Sequence, residues 1–228
     1  MKNLLLFGGS SDIGESIINN VSNRNIFVTY NKGEVKQDCV NKIKCDITNK
    51  NDVDKVYESI NNLDEIVFSA MPEFLQGVND FTGYEESEKL LRGHIYALTQ
   101  GLKKINEYGK IIMMSGQSAD NGLPAAAYMG ANMAYMNNIA KSHNSLSENI
   151  HMCDVQLGPV DTKMWNRVLP DNKTTYGGKE SFMNPDDVAK YVSFILNQEV
   201  MPTKIILDNY YSLKKWFSLY QVFQRIFV

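Results

Sequence analysis

A run of small residues near the start of the chain has the composition of a phosphate-binding turn: Gly8, Gly9, Ser10, Ser11, Asp12, Ile13 and Gly14. It follows an aliphatic segment typical of a buried strand and opens a segment with helical character. Glycine lets the backbone approach a pyrophosphate closely, and the free N–H groups at the start of a helix favour negative charge. The sequence therefore predicts a phosphate site here, with a tight strand-to-helix turn that binds no ligand as the alternative.

A second run, Gly116-Gln117-Ser118-Ala119-Asp120, nearly matches the nucleophile turn G-x-S-x-G of α/β-hydrolases. Its last position is Asp instead of Gly. His143 and His151, the histidines that follow it, fall inside or just after the next helix and not late in the chain. We therefore consider a serine hydrolase much less supported by the sequence than a phosphate-binding function.

These segments are positioned by an alternation of short β-branched or aliphatic runs with longer helical stretches. The strand candidates are Leu4–Gly8, Ile26–Tyr30, Ile43–Cys45, Glu65–Ser69, Lys110–Ser115, His151–Leu157 and Thr203–Leu207. The helix candidates are Ile13–Val21, Asn51–Ile60, Tyr84–Asn106, Ala125–Leu146 and Pro185–Leu196. The alternation predicts an α/β fold, a Rossmann-type doubly wound parallel sheet of about seven strands with helices on both faces.

Three intervals between these elements carry more detailed predictions. Asn184 is suited to cap a helix that begins at Pro185. The interval Asn31–Lys42 is too short for a full crossover helix. The interval from Met164 to Met183 has few apolar residues and two adjacent glycines, which predicts a mobile loop of the kind that often forms a lid.

Composition limits the class of protein. The 228 residues are 43% hydrophobic and 21% charged, so we expect a single globular domain over 1–228. A net charge of −3 gives no positive field for binding nucleic acid. The three cysteines form no C-x-x-C pair, which favours a reducing compartment. We expect a cytoplasmic protein without a disulfide scaffold or a metal site.

The C-terminal segment Tyr210–Val228 is rich in aromatic residues. Its apolar side chains recur at steps of three and four and form one helical face: Trp216, Leu219, Tyr220, Phe223, Ile226 and Phe227. Basic residues border this face, so a helix lying at a membrane interface is one interpretation. Packing on the protein's own core or on a second subunit is the interpretation we favour.

The glycine-rich turn resembles that of the short-chain dehydrogenase/reductase family, whose T-G-x-x-x-G-x-G pattern follows the first strand. Phe7 stands at the position of the threonine, Gly8 and Gly14 are kept, and Asp12 replaces the middle glycine. A carboxylate would repel a pyrophosphate unless it is otherwise engaged. We therefore expect Asp12 to cap the helix.

The resemblance extends along nearly the whole chain and implies further cofactor contacts. Asp46 and Ile47 match the pair that contacts the adenine ring in the family. The segment Leu157–Thr162 resembles P-G-x-V-x-T, which holds the nicotinamide carboxamide, with Leu157 in place of the proline. The residues that the resemblance implies as contacts beyond the adenine side are Ser69, Ala70, Gly158, Val160 and Thr162.

The end of the second strand bears on the choice of cofactor. An acid there binds the ribose hydroxyls of NAD, whereas a base accommodates the additional phosphate of NADP. This chain has Tyr30, Asn31 and Lys32 and no acid. We predict NADP(H) as the cofactor, with Asn31 and Lys32 as contacts; NAD stays an alternative, in which Lys32 is a solvated surface charge.

The resemblance also implies a carbonyl-reducing site. In the family a Ser orients the carbonyl oxygen, a Tyr protonates it, and a Lys four residues after the Tyr lowers the pKa of that Tyr. Ser115 and Tyr128 have the corresponding spacing, but Asn132 stands where the Lys belongs. An Asn can hydrogen-bond the nicotinamide ribose but cannot lower the pKa of Tyr128 by Coulomb attraction.

Three further residues are alternatives at this site. Ser118 competes with Ser115 as the orienting hydroxyl, Lys163 is a second source of a cation, and His94 lies near the position of a relay Asn. Two functions follow. One is an NADP(H)-dependent short-chain oxidoreductase acting on a small carbonyl or alcohol; the other is a catalytically impaired dinucleotide-binding protein that acts as a partner subunit or sensor. The resemblance further implies a homodimer or homotetramer.

Overall fold

The computed structural model describes residues 1–70, 78–79, 81–123, 126–168 and 182–208. The strands are β1 (Lys2–Phe7), β2 (Arg24–Tyr30), β3 (Asn41–Lys44), β4 (Leu63–Phe68), β5 (Ile105–Gly116), β6 (His151–Leu157) and β7 (Lys204–Leu207). The helices are α1 (Asp12–Asn20), α2 (Lys50–Glu58), α3 (Phe81–Lys104), α4 (Ser118–Asn121), α5 (Ala127–Asn144), α6 (Lys163–Val168) and α7 (Pro185–Asn197).

The strands form one parallel sheet with the order β3-β2-β1-β4-β5-β6-β7. The order reverses at β1, which has β2 on one side and β4 on the other. In sheets of this kind, ligands bind outside the carboxyl ends of the strands at that reversal. The Rossmann-type fold predicted from the sequence is confirmed, and its first strand leads into the glycine-rich turn at this position.

The strands are apolar along their length because helices cover both faces of the sheet. Leu4 and Leu6 face a cluster that includes side chains of α1 and α7. Leu5 and Phe7 face a second cluster that includes side chains of α2, α3 and α5. All four side chains are fully buried, and burying a side chain of this size contributes about 1.5–3 kcal/mol. The two cores together hold the carboxyl ends of the strands in fixed positions.

The predicted start of α7 is confirmed. The Asn184 side chain accepts a hydrogen bond from the backbone N–H of Asp186 at 2.9 Å, and Pro185 is the first helical residue. The residues between β2 and β3 form no helix, as their number predicts.

The prediction of a loop from Met164 to Met183 is wrong at its beginning, because the chain is helical up to Val168, the last residue of α6. The rest of that interval, 169–181, lies outside the described residues, and so does the aromatic segment Tyr210–Val228. Among the helices that the structure describes, none combines the length and the apolar character needed to cross a membrane.

Candidate functional site

The glycine-rich turn leaves no room for a Cβ atom at any of its three glycines, Gly8, Gly9 and Gly14. Gly8 has a φ of +90°, and a Cβ atom there would lie 2.7 Å from the backbone nitrogen of Ala70. A Cβ atom at Gly14 would lie 2.2 Å from the carbonyl oxygen of Gly8. The start of α1 is therefore packed directly onto the end of β1, with the end of β4 on the other side. Such a turn exposes backbone where a bulkier sequence would place side chains.

Ser11, and not Asp12, caps α1. The Ser11 hydroxyl accepts a hydrogen bond from the N–H of Gly14 at 3.0 Å and donates one to the carbonyl oxygen of Gly8 at 2.8 Å. The prediction that Asp12 caps the helix is wrong because Asp12 is already its first helical residue.

The Asp12 carboxylate faces the segment that follows β6. It accepts a hydrogen bond from the backbone N–H of Lys163 at 2.6 Å and forms an ion pair with the Lys163 ammonium at 3.0 Å. This pairing offsets the negative charge beside the turn. The N–H groups of Asp12 and Ile13, at the first two helical positions, have no partner within the helix. Together these features give the turn the properties of an anion site.

A cavity of about 240 Å³ extends from this turn to the carboxyl ends of β5 and β6. Much of its wall is apolar and includes Met114, Met129 and Met133. The predicted site residues that line it are Ser10, Ser11, Asp12, Ile13, Ser69, Ser115, Gly158, Val160 and Thr162. The structure thus brings the predicted phosphate turn, the predicted nicotinamide segment and the predicted orienting serine to one cavity.

The predicted adenosine-side residues lie at the ends of β2 and β3. The Asp46 carboxylate accepts hydrogen bonds from the N–H and the hydroxyl of Thr48 at 2.9 and 2.8 Å. Burial raises the pKa of Asp46, but the bonds from Thr48 and Asn31 and the charge of Lys32 outweigh burial, so the pKa lies below its usual value. Ile47 is buried in the core beside α2 and α3. The hydrogen bond from Asn31 and the charge of Lys32 therefore both stabilise the ionised form of Asp46.

The Ser115 hydroxyl points to β6. It donates a hydrogen bond to Asp154 Oδ1 at 2.5 Å, and both side chains are buried. Ser115 also lines the cavity, so it stands between a buried carboxyl group and that space.

Ser118 is the first residue of α4, and its hydroxyl donates to Met133 Sδ at 3.5 Å. The backbone N–H of Gly116 donates to the same sulfur at 3.1 Å. No histidine stands among the described residues that line the cavity, and His143 is bonded through Nε2 to the carbonyl oxygen of Ile150 at 3.2 Å. The geometry gives Ser118 no base, so it does not support a hydrolase.

Tyr128 lies in the first turn of α5, but its hydroxyl donates to the carbonyl oxygen of Val78 at 2.6 Å. Its ring contacts that of Tyr84 edge-on, with centroids 5.6 Å apart. Tyr128 is not among the residues that line the 240 Å³ cavity. The structure therefore places the predicted proton donor at the start of the expected helix without bringing its hydroxyl to Ser115.

Asn132 joins α5 to α3. Its amide nitrogen donates to the carbonyl oxygen and the hydroxyl of Ser87 at 2.7 and 2.5 Å. Lys163, the alternative cation, is paired with Asp12. Asn132 also lines a small cavity of about 40 Å³ together with Ser115 and His94.

His94 holds the end of β4. Its Nε2 contacts the carbonyl oxygen of Ala70 at 2.8 Å, and its Nδ1 contacts that of Leu90 at 3.1 Å. Burial lowers the pKa of His94, against the raising effect of these two carbonyl contacts. Ala70 also packs against Gly8. The contact from His94 therefore helps to hold the backbone on which the glycine-rich turn packs.

The sequence analysis missed Asp154 and Gln156, which lie side by side on one face of β6. Both are fully buried, and Asp154 contacts Ser115 directly. A signal was present: acids are almost never fully buried without a partner, and these two polar residues interrupt the apolar run from Met152 to Leu157. An apolar strand buried on both faces has no structural need for them.

No protein-family model matches this sequence, and a comparison with curated proteins likewise found no match. Solved structures do match. A short-chain dehydrogenase family protein from Francisella tularensis subsp. tularensis SCHU S4 has a TM-score of 0.79 at 19% identity, over 93% of this chain and 99% of that one.

Two further matches were solved with cofactors. The structure of BdcA in complex with NADPH has a TM-score of 0.75 at 18% identity, over 92% of this chain and 94% of that one. The closed form of serine dehydrogenase complexed with NADP⁺ has a TM-score of 0.75 at 16% identity, over 91% and 94%. The fold of this chain is therefore the fold of short-chain dehydrogenase/reductase proteins.

Proposed function

We propose that this chain is an NADP(H)-dependent short-chain oxidoreductase that acts on a small carbonyl or alcohol. The observation that carries the proposal is the single cavity that runs from the glycine-rich turn to Ser115. An anion site and a polar group suited to a carbonyl oxygen occupy the two ends of one space. The solved structures of the same fold with NADPH and NADP⁺ support the choice of cofactor.

The residues present fit a dinucleotide at several points. The pyrophosphate would lie against Ser10, Ser11 and Asp12, which line the cavity, and the first amides of α1 would bind its charge. Lys32 would meet the additional phosphate of NADP. Gly158 and Thr162, on the cavity wall, would hold the nicotinamide end. When bound, the cofactor supplies the hydride.

The protein's own residues would then orient the substrate and hold the proton. Ser115 or Ser118 hydrogen-bonds the carbonyl oxygen, and the methionine-rich wall excludes water from it. Tyr128 donates its proton to the substrate's carbonyl oxygen after its hydroxyl has left the carbonyl oxygen of Val78, and solvent then reprotonates Tyr128. Asn132 stabilises the packing of α5 on α3 and thereby fixes the position of Tyr128.

Thermal unfolding with and without dinucleotides tests this proposal. A ligand that binds only the native state at 100 times its Kd stabilises it by about 2.7 kcal/mol, so NADPH should raise Tm clearly and NADH less. Ser10→Asp should abolish the shift because it places a negative charge in the turn, whereas Ser10→Asn, of equal size, should keep it. No shift with either dinucleotide at millimolar concentration would refute the proposal. A screen of carbonyl substrates then follows NADPH oxidation.

A second candidate function is favoured by the contacts of Tyr128 and Asn132. The Tyr128 hydroxyl is bonded outside the cavity and Asn132 supplies no cation, which suits a protein that binds a dinucleotide without turning it over. Such a partner subunit or sensor would show the NADPH-dependent rise in Tm but no oxidation of NADPH with any carbonyl tested.

A further inference from the structure

Asp154 is an acid enclosed in the sheet behind the candidate active site. Its side chain is fully buried, as is that of Gln156 two residues later. Because side chains two residues apart share one face of a strand, the two lie next to each other beneath α4 and α5. Ser115 on β5 completes the group through its 2.5 Å hydrogen bond to Asp154 Oδ1.

Two atoms of this group have no hydrogen-bond partner, and both are oxygens. They are Asp154 Oδ2 and Gln156 Oε1, two of four such buried side-chain atoms in the part of the chain that the structure describes. The other end of the Gln156 amide donates to Asp120 at 3.3 Å. An ionised Asp154 would leave both oxygens as acceptors without a donor, which is costly in a buried site. Protonation of the carboxyl group removes its charge, and a neutral acid oxygen without a donor costs less in a buried site than an ionised one.

Among the described residues, no positively charged side chain forms an ion pair with Asp154. Lys204, its register partner on β7, gives its ammonium to Asp120 at the start of α4. Asp120 is itself an anion, and the neighbouring Cys153 is a buried thiol. Burial raises the pKa of Asp154 and outweighs the hydrogen bond from Ser115, the nearby Gln156 amide and the charge of Lys204, which lower it; the charge of Asp120 raises it further.

We propose that Asp154 is a neutral carboxylic acid in the native protein and is the positioning residue for Ser115. An ionised Asp154 would take the only hydroxyl proton of Ser115, so that Ser115 could offer the cavity nothing but lone pairs. A neutral Asp154 can turn its O–H toward Ser115 Oγ, and Ser115 then donates its own proton to a substrate oxygen. The protonation state concerns the free protein, whereas the positioning role rests on the proposed reductase function.

The first test needs neither cofactor nor substrate. Infrared spectroscopy of the full chain at neutral pH should show the C=O stretch of a protonated carboxylic acid. The band should be lost in Asp154→Asn and shifted in Ser115→Ala. Asp38→Asn is the matched control, since the Asp38 side chain is exposed to solvent, and it should leave the band unchanged. Absence of the band from the wild-type protein at neutral pH would overturn the inference.

A second readout is the pH dependence of stability. A carboxyl group whose pKa is raised in the folded state stabilises the protein fully below the unfolded pKa, near 3.9, and this contribution is lost as pH rises through the folded pKa. The Tm of the wild-type protein should therefore fall relative to that of Asp154→Asn over this window. Parallel curves for the two proteins would also overturn the inference.

The third readout separates positioning from structure. With a carbonyl substrate and NADPH, wild-type kcat/KM should fall about tenfold per pH unit above the pKa of Asp154. Asp154→Asn should lose this limb and keep activity at high pH, because its amide N–H replaces the acid O–H. Asp154→Ala should be roughly 10²-fold slower at every pH. A wild-type pH profile in Asp154→Asn would refute the positioning role, whereas a missing NADPH-dependent Tm shift would refute the proposed function and leave the first two readouts valid.

Discussion

Asn132 is where this site departs most from the chemistry that its fold suggests. Its amide is bonded to Ser87, and no cation takes its place beside Tyr128 among the contacts of the described residues. We expect Asn132→Lys to raise carbonyl reductase activity about tenfold, because a nearby ammonium attracts the oxyanion that forms as Tyr128 loses its proton, and about 1.4 kcal/mol of such attraction is a factor of ten in rate. Steady-state oxidation of NADPH across a pH series measures this.

The matched control for that substitution is Asn132→Met, which has similar length but no charge. It removes the same two bonds to Ser87 without adding a cation, so it should lower Tm and leave the pH profile in place. Equal activity in the Lys and Met variants would contradict the role assigned to position 132.

Lys32 is the residue at which cofactor preference should be decided. Its charge acts on Asp46, and it stands at the end of β2, where the additional phosphate of NADP would lie. We expect Lys32→Glu to shift the ratio of Kd values for NADPH and NADH toward NADH by about tenfold, the size of one charge-assisted contact. Isothermal titration with both dinucleotides measures the ratio, Lys32→Gln should give a smaller shift, and an unchanged ratio in both variants would reject this role.

The two ends of the cavity differ in how well they could be predicted. The glycine positions follow from local geometry, because Gly8 and Gly14 are required wherever strand and helix approach this closely. The contact between Ser115 and Asp154 could not be predicted, since it joins neighbouring strands 39 residues apart in the chain. The partner of Asp12 was missed for the same reason: Lys163 reaches it from the far end of β6. Sequence spacing fixes contacts within an element, whereas tertiary packing decides those between elements.

At the scale of elements, the strands and long helices follow their apolar periodicity, and the short helices do not. α4 and α6 have four and six residues, too few for a 3.6-residue period to appear. Both nevertheless border the cavity, through Ser118 and through Lys163. These two short helices beside the cavity are thus the elements with the weakest sequence signal.

The cap of α1 connects one element's stability to the proposed cofactor site. Ser11→Ala removes both the bond to Gly14 and the bond to Gly8, so we expect a loss of about 1 kcal/mol in the free energy of unfolding and weaker NADPH binding. Asn184→Ala removes the equivalent cap of α7 and is the matched control. It should cost similar stability in chemical denaturation but leave the Kd for NADPH unchanged; equal weakening of NADPH binding by both variants would show that the turn is not the binding site.

At the scale of the whole molecule, the sheet separates two cores that must unfold together if the domain is cooperative. Cys45 belongs to the cluster on the side of α2, α3 and α5, and Cys153 to the cluster on the side of α1 and α7. Burial raises the pKa of each thiol to about 12. Cys39, by contrast, is exposed. The reactivity of the three thiols therefore measures the solvent exposure of the surface and of each core separately.

We expect alkylation of the native protein to modify Cys39 rapidly and the other two thiols only through unfolding, because the thiolate is the reactive form and burial suppresses it. Cys45 and Cys153 should react at one common rate if both cores open in a single step. NADPH at 100 times its Kd should slow that common rate about 100-fold by favouring the native state. In Cys39→Ser the rapid phase should vanish while the slow phase stays. Mass spectrometry of the alkylated protein follows each site, and Cys153 reacting well before Cys45 would show that the layer of α1 and α7 opens alone, taking the glycine-rich turn with it.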